Sequence, residues 1–198
     1  MLAVHARYRG RSTQRAQLVT QSAQALNQLP GVAGFESVGV EDIRSIVDGA
    51  TELCDVVMAL LADGDWAIGI GVCPPSSADA ASEADLARVR DCATAALRAS
   101  ARPAQVYAKV ASPERRNDAA DIAAAFALLG FVLHKRTPEG REATALVRSG
   151  LNQNEAAAEL GISKQAMSQR LQAAGWNAEM AGWRLAISLL ERAANAPA

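Results

Sequence analysis

Residues 151–176 read LNQNEAAAELGISKQAMSQRLQAAGW. Alanine favours any helix, so the alanines decide little here, and the punctuation between them decides more. Asn152 is placed to cap a helix that begins at Gln153, and Glu155 complements the dipole of its first turn. Gly161 supplies the left-handed residue that ends this helix after Leu160. Ile162 plugs the turn, and Ser163 caps a second helix beginning at Lys164. Two short helices joined by Gly-Ile-Ser have the sequence form of a helix-turn-helix. The competing reading is a helical hairpin packed inside a bundle.

The side chains divide in a way that favours the first reading. Ala157 is small where the two helices would cross, and Leu160, Ile162, Met167 and Leu171 point inward. Lys164, Gln165, Ser168 and Gln169 point outward. Gln can pair with adenine, Lys can reach guanine acceptors and Ser adapts to either, so these four are candidate base readers. Ser163 and Arg170 flank them as candidate phosphate contacts. The run AAAELGISKQAMSQRL resembles the helix-turn-helix of many bacterial regulators and of sigma-factor region 4, which implies double-stranded DNA as partner.

The rest of the chain sets limits on that reading. Among its 198 residues half are hydrophobic, only 4% are aromatic and the net charge is −1. Small side chains and few aromatics predict close-packed helices. Near-neutrality excludes a uniform electrostatic grip on nucleic acid, so contacts must come from a local patch. The three cysteines, Cys54, Cys73 and Cys92, are widely spaced and form no metal-binding pattern, which predicts buried free thiols in a reducing cytoplasm. The N-terminal residues MLAVHARYRGRST turn polar too early for a signal peptide. The apolar run AADIAAAFALLGFVLH at 119–134 is short for a membrane span. A soluble cytoplasmic protein is the expectation.

Hydrophobic periodicity then orders the elements. LAVHARY (2–8) alternates as a strand, and a helix follows from a Thr13 cap to about Leu29, where Pro30-Gly31 stops it. Residues 35–48 predict two short strands around a turn near Gly39. A helix over ATELCDVVMALLADG ends at Gly64, and DWAIGIGVC (65–73) is a strand. PPSSADAAS is a loop, EADLARVRDCATAALRAS a helix, AQVYAKV a strand, and Asp118 to about Lys135 a further helix. The first six elements are βαββαβ, the split βαβ pattern with helices on one face of an antiparallel sheet. The predicted class is α+β: a ferredoxin-like domain over 1–112, a connector helix over 113–136, and an all-α helix-turn-helix domain over 137–198 that ends in a long helix.

That last helix carries Met180, Trp183, Ile187, Leu190 and Ala194 at alternating spacings of three and four. The stripe either packs on the connector helix of its own chain or forms a two-fold interface. A recognition helix with two cations is a weak ligand alone, so function favours a homodimer with Met180, Trp183, Ile187 and Leu190 at its interface.

The stretch GFESVGVEDIRSIVDGATELCDVVMALLADGDWAIGIGVC resembles the SatD-like family and related actinobacterial proteins. The residues that carry the resemblance are Phe35, Glu36, Gly39, Glu41, Trp66, Ile68, Gly69, Ile70, Gly71 and Val72. In that family a Phe-Glu-x-x-x-Gly-Asp-Glu hairpin precedes a helix and a W-x-I-G-I-G-V-G strand, and a helix-turn-helix follows. The hairpin and topology are also similar to nucleotidyl and diguanylate cyclases. Such cyclases hold two metals on carboxylates of the first strand and the hairpin, against a triphosphate. This chain has Val40 where the family has aspartate, and no carboxylate on AVHAR of the first strand. Glu41 and Asp42 are adjacent and should point to opposite faces. The resemblance therefore implies a scaffold or sensor rather than a working enzyme, with no cofactor or metal, open to a small-molecule or protein effector.

Arg7, Arg9, Arg11 and Arg15 all precede the first acidic residue, Glu36. They are candidate phosphate contacts, or a solvated loop whose arginines pair with acids elsewhere. Lys135 and Arg136, with His134 and Arg141, form a second basic cluster beside the helix-turn-helix, with the same two readings. GIGVC lacks the spacing of a phosphate cradle, and its glycines predict close packing against a helix. His5 reads as structural, and Ser76 and Ser77 lack acid-base partners at a recognisable spacing. Trp66, Trp176 and Trp183 are core or interface anchors, or the walls of an effector pocket.

Overall fold

The computed structural model describes residues 1–74 and 81–195. Most of the loop read at 74–82, with Ser76 and Ser77, lies outside the described residues.

The alternation of LAVHARY produces β1 (Leu2–Tyr8), the central strand of a five-stranded sheet. The sheet order is β2 (Glu36–Ser37), β3 (Asp42–Val47), β1, β4 (Trp66–Val72), β5 (Val106–Val110). The first four neighbours pair antiparallel, and β5 lies parallel to β4. Side chains alternate across the strands. Val4, Ala6, Ile68, Ile70 and Ile43 are buried on the face that also receives α1 (Arg15–Leu26), α2 (Ala50–Asp63) and α4 (Arg116–His134).

The two helices of the βαββαβ unit, α1 and α2, share one face, and the helix that follows the unit does not. The crossover helix α3 (Glu83–Ala96) covers the opposite face, over Ala3, His5, Gly69 and Gly71. A Cβ on Gly69 would stand 2.5 Å from the Ala93 carbonyl oxygen, and one on Gly71 2.5 Å from the Ala93 nitrogen. Real side chains do not approach backbone so closely, so the alternating glycines of β4 let α3 down onto the sheet. The close-packing reading of GIGVC holds. Helix α3 ends at Ala96, four residues before the sequence reading ends it, because Leu97 turns extended and buries itself beside Ala67.

The C-terminal half is α5 (Pro138–Arg148), α6 (Gln153–Glu159), α7 (Lys164–Ala173) and α8 (Trp176–Asn195). Helix α5 has no counterpart in the sequence reading. Its signal is a Thr137 cap with Pro138 in the first turn, ahead of Ala143, Leu146 and Val147. Helices α5, α6 and α7 close a small core of their own around Ala143, Ala156, Ala157, Met167 and Leu171. Helix α4 is no free connector: Ile122, Phe126, Leu129 and Leu133 are buried in the main core. Its 19 residues are apolar enough to cross a membrane by length and composition; here one face of the helix packs into the main core, while Leu128 and Phe131 stay exposed.

Helix α8 also belongs to the main core, through Ala186, Leu189, Leu190 and Ala193. The interface stripe is corrected accordingly. Leu190 is sealed inside the chain, and Trp183 and Ile187 pack against the same core, while Met180 is half-buried. The Trp183 indole donates to Asp55 Oδ1 at 2.9 Å. The buried face of α8 runs through Ala186, Leu189, Leu190 and Ala193, and Gly182 stands against Leu129 of α4, where a Cβ would come within 2.8 Å of the Leu129 side chain.

Candidate functional site

Helices α6 and α7 and the turn between them form as their caps dictate. The Asn152 side chain accepts from the backbone nitrogens of Asn154 at 2.9 Å and Glu155 at 3.1 Å, and Glu155 Oε2 accepts from the Asn152 nitrogen at 2.8 Å. This reciprocal box satisfies donors that the first turn of α6 leaves open. Gly161 takes φ +63°, the left-handed conformation that the turn requires. Ser163 Oγ then accepts from the Ala166 nitrogen at 3.1 Å and starts α7. Met167 and Leu171 are buried beneath α7, and Leu160 and Ile162 pack at the edge of the same core.

That orientation leaves Lys164, Gln165, Ser168 and Gln169 exposed together on the first two turns of α7. Ser163 is exposed at the cap, and Arg170 is half-buried and near enough to Glu139 to lower its pKa, behind that residue's own hydrogen bonds. The structure therefore brings the predicted base readers onto one surface and keeps Arg170 beside it.

The second basic cluster divides. Lys135 is exposed, with its ammonium 5.3 Å from the centre of the Phe131 ring. Arg136 is buried, which corrects its assignment as a phosphate contact. Its Nε donates to the Ala174 carbonyl at the end of α7 at 2.9 Å, and its guanidinium pairs with the buried Glu179 of α8. Glu179 also pairs with Arg148 at the end of α5, which lies 5.6 Å over the Trp176 ring. Paired and hydrogen-bonded charges are the form in which ions are tolerated inside a protein. This triad clamps α4, α5, α7 and α8 where the small core meets the main one. Glu179 has no signal in the sequence beyond being an acid on an otherwise apolar face.

The N-terminal arginines are likewise engaged. Arg7 donates to Asp42 Oδ1 at 2.6 Å, and Arg9 pairs with Glu41 at 3.1 Å. Arg15 also pairs with Glu41. Arg7 and Arg9 thus take the solvated-pair reading, while Arg11 stays exposed. Glu41 and Asp42 serve separate arginines, as their adjacency predicts. His5 is buried between Asp42 Oδ1 and Thr94 Oγ1, each at 2.9 Å. A carboxylate only accepts, so Nε2 carries a proton toward Asp42, while the Thr94 hydroxyl donates to the Arg90 carbonyl at 3.0 Å. Burial lowers the His5 pKa, against the opposing pull of Asp42.

The three cysteines are free and buried. Cys73 and Cys92, distant in sequence, meet across the β4–α3 contact, and a hydrogen bond from Cys92 lowers the Cys73 pKa. Trp66 packs edge-on against Tyr8 at 5.5 Å between ring centres, and Trp176 packs on the small core. Each tryptophan is an anchor within the fold.

No known protein-family model matches this chain, and comparisons with curated proteins and with solved structures find no match. The case for function rests on the chemistry of the exposed side chains.

Proposed function

We propose that the chain is a sequence-specific DNA-binding transcriptional regulator that reads the major groove through α7. The observation that carries this reading is the capped turn holding Lys164, Gln165, Ser168 and Gln169 exposed on the N-terminal part of that helix. Ser163 and Arg170 flank them for phosphate, and Lys135, Arg141 and Arg11 are further exposed cations of the two basic clusters. The N-terminal half acts as a ferredoxin-like scaffold in the cytoplasm. The antiparallel order β2-β3-β1-β4 supports that arrangement, with α3 and β5 as an extension. It is not a working cyclase, because Asp42 is taken by His5 and Arg7, and Glu41 by Arg9 and Arg15. The protein binds as a homodimer, with Leu128 and Leu185 among the exposed apolar side chains open to a two-fold contact.

The test is selection of bound fragments from a genomic DNA library by the full chain, followed by affinity measurements on the enriched site. Gln165→Ala or Gln169→Ala should cost about 1–3 kcal/mol at one base pair and leave random duplex unaffected. Arg170→Ala should weaken all duplexes alike. If both Gln variants bind every duplex as the parent does, α7 is not the reading element. Sedimentation of the parent as a monomer in the DNA complex would remove the dimer.

A further inference from the structure

The open edge of β5 has a use that DNA binding does not absorb. Strand β5 ends the sheet, with β4 on one side and no strand on the other among the described residues. Ile68 donates its amide to the Gln105 carbonyl at 2.8 Å, and Ala111 donates to the Val72 carbonyl at 2.8 Å. Backbone groups alternate along a strand, so odd-numbered residues of β5 serve β4. The N–H and C=O groups of Val106, Ala108 and Val110 therefore face outward.

This edge is the floor of a groove between α3 and α4. Its larger part is a cleft of about 840 Å³ beside the C-terminal half of β5, and a second cleft of about 440 Å³ continues along the N-terminal half. The α4 wall is built from small residues, Ala119, Ala123 and Ala127, which leave room for added side chains. The two ends differ in chemistry. Around the larger cleft stand Arg98, Lys109 and Arg116, all exposed and, among the described residues, none in an ion pair. Arg88, which pairs with Asp85 at 3.2 Å, and Asp91 complete the charged lining. Around the smaller cleft stand Tyr107 and the exposed ring of Phe131.

We propose that this groove takes an extended segment of a partner protein as a sixth strand beside β5, acidic where it meets Lys109 and Arg116 and apolar where it meets Phe131. Strand addition gains affinity from main-chain hydrogen bonds and selectivity from the flanking side-chain sites. Charge chooses between occupants. A second copy joined β5 to β5 would place the same cations of both chains along one seam, and like charges across paired strands destabilise. An acidic chain neutralises them instead.

The probe is a displayed library of random linear twelve-residue peptides, selected on the immobilised full-length protein. Enriched peptides should be acidic. Their binding, measured by fluorescence anisotropy, should slow amide exchange at Ala108 and Val110. The double variant Lys109→Glu with Arg116→Glu should weaken binding by at least about tenfold. Ala108→Pro should also abolish it while the melting temperature holds, because the amide removed faces away from β4 and proline is tolerated at an edge. A version of the peptide N-methylated at alternate amides should fail to bind.

Four results would overturn the proposal. The first is that no peptide is enriched. The second is equal binding by the methylated peptide. The third is binding of inorganic tripolyphosphate, lost with the two cations, while peptides bind weakly or not at all; this would make the cleft a small-anion site. The fourth is self-association that Ala108→Pro dissolves, which would make the occupant a second copy.

Discussion

The basic cluster of β1 and the polar face of α7 look alike as letters and end in opposite states. Arg7, Arg9 and Arg15 are matched inside the chain by Asp42 and Glu41. Lys164, Gln165, Ser168 and Gln169 stay exposed on a helix start fixed by a serine cap. The stronger charge run is the one already neutralised. Local charge density in a sequence is therefore a poor guide to a ligand, and what counts is which donors remain unengaged after folding.

The cluster at Arg136 offers the sharpest way to break this contrast. Glu179→Ala would leave Arg136 buried without its counter-ion, at a cost of about 3–5 kcal/mol in urea unfolding. Replacing the pair together, Arg136→Met with Glu179→Leu, should recover most of that loss. A Glu179→Ala protein as stable as the parent would show that these charges are not committed to the fold.

A smaller effect should appear with pH. The folded His5 pKa lies below its ordinary value because of burial, so the unfolded chain binds the proton more readily. The stability this residue contributes is complete above about pH 6.5 and is lost as pH falls from there through the lowered folded value. Stability measured between about pH 7 and pH 5 should fall less steeply in His5→Asn than in the parent. Equal slopes would mean that His5 titrates alike in both states.

The smallest change is expected at Arg15, whose side chain is half exposed. Arg15→Ala should cost about 0.2–1 kcal/mol at low salt and less at high salt, read from urea midpoints. A loss of DNA affinity that exceeds this change in stability would overturn the contrast, because it would place the N-terminal arginines on the duplex.

Caps and glycines were the legible features of this chain. Asn152, Gly161 and Ser163 act within a few residues of themselves, so their roles can be read in order along the sequence. The strand alternation of β1 and the packing role of Gly69 and Gly71 were readable for the same local reason. The partners of Arg136 and the far side of the α8 stripe were not. Glu179 lies 43 residues from Arg136, and nothing near either residue announces the pairing. The stripe was open to two readings, its own chain or a two-fold interface, and Leu190, Trp183 and Ile187 take the first, because periodicity marks an apolar face without naming what covers it. The groove along β5 was equally silent, since it exists only once α3 and α4 stand on opposite sides of that strand.

The placement of α8 has a consequence for the order of folding. Trp183 bonds to Asp55 across 128 positions, and Leu190 fills the core built on residues near the start of the chain. The α5–α7 unit, by contrast, closes among neighbours. Contacts between distant positions carry the larger loop-closure cost. A chain growing from its N-terminus thus holds the sheet side of its main core open until its last helix has been made, while the smaller helical unit already has all its parts. The final twenty-residue helix is the piece that completes the first domain.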